Sequence, residues 1–282
     1  MTTNFKSGFV SIIGRPNVGK STLINAIMGQ KVSIVSDKPN TTRSQVRGIL
    51  TEKRGQIVFV DTPGMHKPRS LLGQRLNDTA NQAIGEVDLV LVLVDASQEI
   101  GKGDSLALEK APRNAIVVVN KTDLVSGEKV LAHLGTLAKF DKSSYFPISA
   151  QSGIGVKELL DELFSRISEG PMYYPPETLT DISDAEWVAE LVREQLLAIA
   201  REELPHSIAC KVTEWEWPRI RCEIHVERSS QKAIVIGKGG AVLKEAGTQV
   251  RKQLPKGAFL ELFVKVNPRW QSNAQSLERL GY

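Results

Sequence analysis

Gly14-Arg15-Pro16-Asn17-Val18-Gly19-Lys20-Ser21 is the stretch on which the reading of this chain turns. It has the form G-x-x-x-x-G-K-[ST], with a β-branched run (9–14) before it and a helix-like run (21–28) after it. Glycine at both ends lets successive backbone N–H groups curl around phosphate oxygens, and a helix N-terminus adds partial positive charge at the same place. Lys20 is positioned to reach the β- and γ-phosphates of a nucleotide and Ser21 to ligate Mg²⁺, with Thr22 next to it.

Working outward, short apolar runs recur at 9–14, 56–61, 89–95, 115–120 and 145–149, separated by helix-like stretches at 21–28, 71–85, 104–110, 128–138 and 156–167. Nearly continuous Val, Ile and Leu suit strands covered on both faces, as in a parallel sheet. The alternation therefore predicts an α/β, doubly wound domain over 1–170. Residues 45–51 alternate polar and apolar and suit a sheet edge. Gly170-Pro171 and Pro175-Pro176, around Tyr173-Tyr174, break the pattern and mark 171–184 as a linker.

Two further motifs choose between nucleotides, which the first does not. Asp61-Thr62-Pro63-Gly64 closes one strand: Asp61 can hold Mg²⁺ through a water, and the Gly64 N–H can sense the γ-phosphate. Asn120-Lys121-Thr122-Asp123 closes another. The Asp123 carboxylate can accept from both the N1–H and the N2–H₂ of guanine, a donor pair adenine lacks, while Lys121 can lie along base and ribose. Ser149-Ala150, after the last strand, can offer an N–H to guanine O6. In the polar stretch Pro39-Asn40-Thr41-Thr42-Arg43, Thr42 is chosen over Thr41 as the residue that ligates Mg²⁺ when a γ-phosphate is present. The expected cofactors are GTP/GDP and Mg²⁺.

Together, residues 14–21, Thr42, 61–64, 120–123 and 149–150 resemble the five motifs of small Ras-like GTPases. Asn17 and Thr41-Thr42-Arg43 resemble the bacterial branch that contains the Era-like family. The resemblance implies GTP hydrolysis supported by Lys20, Thr42, Gly64 and Asn17, the last helping to hold a K⁺ near the phosphates. One departure matters: Met65 stands where Ras-like proteins carry a water-orienting Gln, so intrinsic turnover is expected to be slow. His66 beside it reads as a polar loop residue rather than a general base.

Residues 185–282 are ordered differently. A helix at 185–201, capped by Ser183 or Asp184, precedes strands at 206–214 and 219–227, a short helix, Gly237-Lys238-Gly239-Gly240, a helix at 241–254, a strand at 259–266 and a last helix from Pro268. This is an α+β arrangement. Gly-x-x-Gly between helices resembles the K-homology (KH) loop that clamps single-stranded RNA, and the element order matches the type II form of that fold. Ile236, Gly237, Lys238, Gly239, Gly240, Lys244 and Arg251 are the expected RNA contacts. Between Arg228 and Arg269 lie nine Lys/Arg and two acids, 9 − 2 = +7, so positive charge gathers around this loop. A Ras-like domain joined to one KH domain again resembles the Era-like family. That resemblance implies binding to the 3′ end of small-subunit (16S) ribosomal RNA and a role in maturation of the 30S particle. It also implies a monomer with no DNA partner, cytoplasmic and peripherally associated with the inner membrane.

Composition fits this reading. The 282 residues carry 41% hydrophobic and 24% charged residues and a net charge of +4, ordinary for a globular protein. Cys210 and Cys222, flanking a hairpin turn, are too few for a disulfide framework and are expected reduced. Residues 1–8 have no apolar signal core, and the longest apolar run, 89–94, is far below the ~20 residues of a membrane span. Two other readings stand beside the switch: a P-loop kinase or ATPase acting on a small metabolite, which 120–123 argues against, and a passive RNA-binding module, which intact Lys20, Ser21, Asp61 and Asp123 argue against.

Overall fold

Apolar runs without polar alternation need cover on both faces, and the computed structural model supplies it. Described are residues 5–38, 41–43, 46–64, 70–85, 87–199 and 204–282; Met65, His66, Pro39, Asn40 and Gln45 lie outside them. The first part runs β1 (Lys6–Gly14), α1 (Lys20–Met28), β2 (Val46–Glu52), β3 (Gly55–Asp61), α2 (Leu71–Gly85), β4 (Leu89–Asp95), α3 (Lys102–Lys110), β5 (Ile116–Asn120), α4 (Gly127–Leu137), β6 (Ser144–Pro147) and α5 (Val156–Arg166). The sheet order is β2-β3-β1-β4-β5-β6. β2 is antiparallel to β3, and every other pair is parallel.

The period-two alternation of a strand sorts β4 between two cores. Leu89, Leu91 and Leu93 face Leu23 and Ile24 of α1 and Leu159 and Leu163 of α5. Val90, Val92 and Val94 face Ala80 of α2, Ala107 and Leu108 of α3 and Leu137 of α4. Each such fully buried aliphatic side chain contributes about 1.5–3 kcal/mol. The parallel strands all end on one edge, which collects residues 14–21, Asp61, Asp95 and Asn120 where open α/β sheets present ligand sites.

Small differences from the sequence reading have local causes. β1 starts at Lys6, three residues early, because its parallel ladder with β3 begins at Lys6↔Gly55. β6 stops at Pro147, two residues before the expected Ser149. The 171–184 stretch is not a free spacer. Gln56 accepts from the N–H groups of Tyr173 (2.8 Å) and Tyr174 (3.0 Å) and donates to the Tyr174 carbonyl (2.8 Å). Ile49 N–H donates to Leu179 O at 2.9 Å, and Arg47 pairs with Asp181. The strap through Asp181 therefore belongs to the first compact unit, and the C-terminal segment of the second begins at Ile182.

The second unit contains α6 (Asp184–Ile199), the single turn α7 (Leu204–Ser207), β7 (Ala209–Glu216), β8 (Arg219–Val226), α8 (Ser229–Ile236), α9 (Ala241–Arg251), β9 (Phe259–Val266) and α10 (Ala274–Leu280). Ser183, not Asp184, caps α6: the Glu186 N–H meets Ser183 Oγ at 3.3 Å, and the Ser183 N–H meets the Glu186 carboxylate at 3.1 Å, a reciprocal capping box. β8 is central, antiparallel to β7 and parallel to β9. Val188, Leu191 and Val192 of α6, Val235 of α8 and Ala246 and Val250 of α9 bury one face of this sheet, against Cys210, Ile220, Cys222, Ile224 and Val264. Both cysteines are free and buried; the register pairs Cys210 with Ile224 and Val212 with Cys222, so the thiols lie diagonally. The last helix begins at Ala274 rather than near Pro268, after a 3₁₀ turn in which the Trp270 indole is fully buried and donates to Ser207 O at 3.0 Å.

Candidate functional site

The loop between β1 and α1 can turn only because of its glycines. Gly19 has φ +99°, and a Cβ there would sit 2.3 Å from Asn120 Nδ2. Asn17 is also left-handed (φ +65°), a conformation Asn tolerates better than most residues. Lys20 is buried, with Nζ donating to the carbonyls of Gly14 (3.4 Å) and Arg15 (3.0 Å). Burial pushes its ammonium down to about 8, against the pull of the Asp61 carboxylate.

Asp61 is the centre of the site. One carboxylate oxygen, Oδ2, accepts from Ser21 Oγ (2.8 Å), Ser33 Oγ (3.0 Å) and Thr42 Oγ1 (3.3 Å), and the Ser21 and Thr42 hydroxyls are 3.2 Å apart. The other, Oδ1, is buried without a hydrogen-bond partner. Burial pushes the Asp61 carboxyl up, opposed by Lys20 and the three hydroxyls. Hard oxygen donors converging on a carboxylate with an orphaned oxygen fit a divalent cation of the Mg²⁺ kind. Ser33 joins this cluster although nothing in its loop sequence marks it.

Thr62 and Arg15, grouped above with the nucleotide-binding residues, direct their side chains elsewhere. Thr62 Oγ1 donates to the Ile12 carbonyl (2.8 Å). The Arg15 guanidinium pairs with the buried Asp104 of α3 (2.8 Å). Gly64 lies against Pro16: a Cβ would meet Pro16 N at 2.8 Å and its Cα at 3.0 Å. Its backbone can therefore approach the phosphate loop only as glycine.

On the other side, Asn120 is a bridge. Its Nδ2 donates to Val18 O (2.9 Å), and its Oδ1 accepts the Ala150 N–H (2.9 Å). Of the Ser149-Ala150 pair expected to offer an N–H to guanine O6, the Ala150 N–H is the one that Asn120 engages. Ser149 is buried, and its Oγ accepts from the Ser152 N–H at 3.2 Å. Lys121 (φ +65°) donates to Asn17 O (2.8 Å) and to Asp95 Oδ2 (2.6 Å) at the end of β4. Burial pushes the Asp95 carboxyl up, but hydrogen bonds from Lys121 and Ser97 outweigh it and hold it below the usual range. Asp95 was missed by sequence reasoning; its strand-end position, level with Asp61 and Asn120, was the available signal. Asp123 is exposed on the 3₁₀ turn Thr122–Leu124, which Thr122 N–H anchors to Ile148 O at 3.1 Å.

In the second unit Gly237 has φ +73°, and a Cβ would lie 2.5 Å from Val242 Cγ2 and 2.9 Å from Val242 N. Gly239 (φ +59°) and Gly240 (φ +80°) are left-handed in open space. The loop thus offers bare backbone between α8 and α9. Lys238 in the loop, Lys244 in the first turn of α9 and Arg251 at the far end of that helix are exposed, and Ile236 is half-buried.

Residues 9–121 match the family profile described as "50S ribosome-binding GTPase" and residues 203–271 the one described as "KH domain". GTPase Era of Leuconostoc citreum is 43% identical, over 99% of this chain and 97% of its own length. The chain belongs to the Era family of GTPases. GTPase Era of Heliobacterium modesticaldum is 42% identical over 98% of this chain and 97% of its own length. Among solved structures, Era in complex with MgGDPNP and nucleotides 1506–1542 of 16S ribosomal RNA matches with a TM-score of 0.94, 36% identity and 99% coverage of both chains. Aquifex aeolicus Era bound to GDP·AlF4⁻ matches with a TM-score of 0.93 and the same identity and coverage. This Era-family chain is accordingly a GTP-binding GTPase with a C-terminal KH domain. No helix among its described residues is long and apolar enough to cross a membrane.

If Lys20 meets the phosphates, its depressed ammonium should make binding pH-dependent. Below pH 8 the free protein carries the ammonium; above it the charge is lost. A bound triphosphate favours the charged form, so binding above pH 8 takes up a proton, and affinity falls as pH rises through the free-protein value, by at most about tenfold per unit. Calorimetry near pH 8.5 in two buffers of different protonation enthalpy should show a net proton uptake on binding. Lys20→Arg, whose guanidinium does not titrate, should show none. Equal uptake by both would assign the proton elsewhere.

Proposed function

We propose that this chain is a guanine-nucleotide switch that reads the 3′ end of small-subunit ribosomal RNA during maturation of the 30S particle. The observation that carries the switch is the Asp61 cluster: Thr42, from the polar loop, meets Ser21, from the phosphate loop, on one carboxylate. Backbone N–H groups of residues 17–21, the N-terminus of α1 and Lys20 hold the β- and γ-phosphates. Ser21, Thr42 and Asp61 would hold Mg²⁺, which when bound supplies positive charge between those phosphates. The Gly64 N–H faces the γ-phosphate. Asp123 accepts from the guanine edge, Lys121 lies along the base, and Asn120 keeps both recognition loops in register. Phosphoryl transfer asks the protein mainly for positioning and charge neutralisation, and these residues provide both.

Asn17 is proposed to help hold K⁺ beside the phosphates. Turnover in K⁺ buffer should then exceed that in Na⁺ buffer at equal ionic strength by severalfold. Equal rates would remove the monovalent ion from the mechanism.

RNA recognition is read from the Gly237–Gly240 loop and from the solved Era that carries nucleotides 1506–1542 of 16S ribosomal RNA. Placing Asp at position 237 would drive a Cβ into Val242 and add negative charge where a phosphate approaches. Gly237→Asp should weaken binding of a labelled copy of that RNA segment at least about tenfold while GTP affinity stays unchanged. Undiminished RNA binding would sink the assignment. The reading extends to a monomer that visits the inner-membrane surface peripherally, which co-flotation with anionic vesicles tests.

A further inference from the structure

The three-stranded sheet of the second unit has two faces, and only one is packed against α6, α8 and α9. On the other, β7, β8, β9 and α10 line an open pocket of roughly 400 Å³. Its wall carries Lys211, Lys265, Arg279, His225, Asn267 and Glu223. The strand register explains the grouping: Lys211 lies opposite Glu223 and Lys265 opposite His225.

Glu223 is already engaged. One of its oxygens pairs with Lys265 Nζ, and the other faces His225 Nε2 at 3.5 Å. Lys211 Nζ donates to the Arg279 carbonyl. Among the described residues no carboxylate pairs with Lys211 or with the Arg279 guanidinium. Three cations against one carboxylate, 3 − 1 = +2, leave the pocket positive. Two polar atoms on its wall are buried without a partner: His225 Nδ1 and Asn267 Nδ2. His225 is only 8% exposed, and burial holds its imidazole below the usual range, with Lys265, Arg279 and Lys211 adding to the effect against Glu223. The ring is therefore neutral at pH 7. With the proton assigned to Nε2, which faces the Glu223 carboxylate at 3.5 Å, Nδ1 is left as a lone pair.

The ligand this wall asks for has anionic oxygens for the two lysines and the arginine, an oxygen to accept from Asn267 Nδ2, and a hydroxyl to donate to His225 Nδ1. A phosphodiester group alone lacks the hydroxyl donor, and a deoxyribose backbone lacks it too. We propose that this pocket is a second RNA site, which takes a ribose–phosphate unit: the phosphate on Lys211, Lys265 and Arg279, the 2′-hydroxyl on His225. It lies across the sheet from the Gly237–Gly240 loop, so one RNA would touch the domain on two faces, by its exposed bases at the loop and by its backbone here. The inference rests on the reading that this domain binds RNA.

The test uses the full chain and a fluorescent RNA with the sequence of 16S nucleotides 1506–1542 named for the solved neighbour, plus its all-2′-deoxy counterpart. Lys265→Ala with Arg279→Ala changes only exposed side chains. It should bind the RNA about tenfold more weakly, with the dependence of log affinity on log salt reduced by about 1.4, two lost contacts on a single strand. Basal GTP hydrolysis and the unfolding midpoint should be unchanged. Lys265→Arg with Arg279→Lys, which keeps both charges, should restore affinity and salt slope. His225→Leu, which removes the acceptor but keeps the volume, should narrow the preference for RNA over the deoxy counterpart. If the wild type binds the RNA but the double alanine variant binds it equally well with an unchanged salt slope, the second site is wrong and the reading of function stands. If the wild type does not bind the RNA at all, both fall.

Discussion

Asp123→Asn is expected to lower affinity for GTP by about two orders of magnitude and to turn the site toward xanthosine triphosphate. In the proposed site the carboxylate offers two acceptors to the N1–H and N2–H₂ of guanine. Asparagine offers one acceptor and one –NH₂, so the guanine amino group meets another donor. Hydrogen bonds to charged groups are worth about 1.5–3 kcal/mol each, and the loss of one with the frustration of the second comes to about 3 kcal/mol, ~150-fold. Xanthine carries a carbonyl where guanine carries the amino group and matches the asparagine. Competition of the two triphosphates against labelled GDP reads the exchange directly. Asp123 is exposed on its own turn, outside the 14–21 loop, so the variant should still hold the matching nucleotide by its phosphates. A variant that kept its preference for GTP would mean that guanine is chosen somewhere else.

The residues legible in the sequence are those whose spacing is set by the ligand. A loop that wraps phosphate needs Gly14, Gly19 and Lys20 at fixed offsets, and a strand that delivers a carboxylate to the same place needs Asp61 at its end; covalent geometry carries that information locally. The KH loop was legible for the same reason, since Gly237 must approach Val242 more closely than any Cβ allows. What was not legible depends on partners distant in sequence. Arg15 sits inside the phosphate motif, yet Asp104, 89 residues on, takes its side chain. Ser33 has no periodic or turn signal and reaches Asp61 only because the folded loop brings it there. The Pro-rich stretch after Gly170 has the composition of a stiff spacer, but the amide of Gln56 offers three hydrogen bonds to Tyr173 and Tyr174 and turns it into a strap. Composition states what a segment can do alone; it does not state which buried amide waits for it. Asn120 belongs to this second class, although the motif around it was recognised, because its partners lie in two other loops.

Asn120→Ala should therefore behave unlike Asp123→Asn. Truncation leaves the Val18 carbonyl and the Ala150 N–H without partners in a region where both residues are buried, 1% and 4% exposed. Each orphaned group costs about 1–3 kcal/mol, so the pair costs about 3 kcal/mol. For a domain of this size that lowers the unfolding midpoint by about 6–12 °C. Because the bridge positions the phosphate loop and the Ser149–Ala150 loop rather than touching one base edge, guanosine, inosine and xanthosine nucleotides should all lose affinity by a similar factor, about 100-fold, with selectivity intact. A specific change of base preference would refute the bridge. Gly19 supplies the sharper measurement. Its Cβ position lies 2.3 Å from Asn120 Nδ2, so Gly19→Ala in the wild type meets both a left-handed φ and a steric clash. With Asn120→Ala in place the clash is gone and only the backbone strain remains. The second substitution should then cost at least about 1 kcal/mol less than it does alone. Strict additivity of the two losses would mean that the carboxamide does not press on the phosphate loop, and Asn120 would have to act through Ala150 alone.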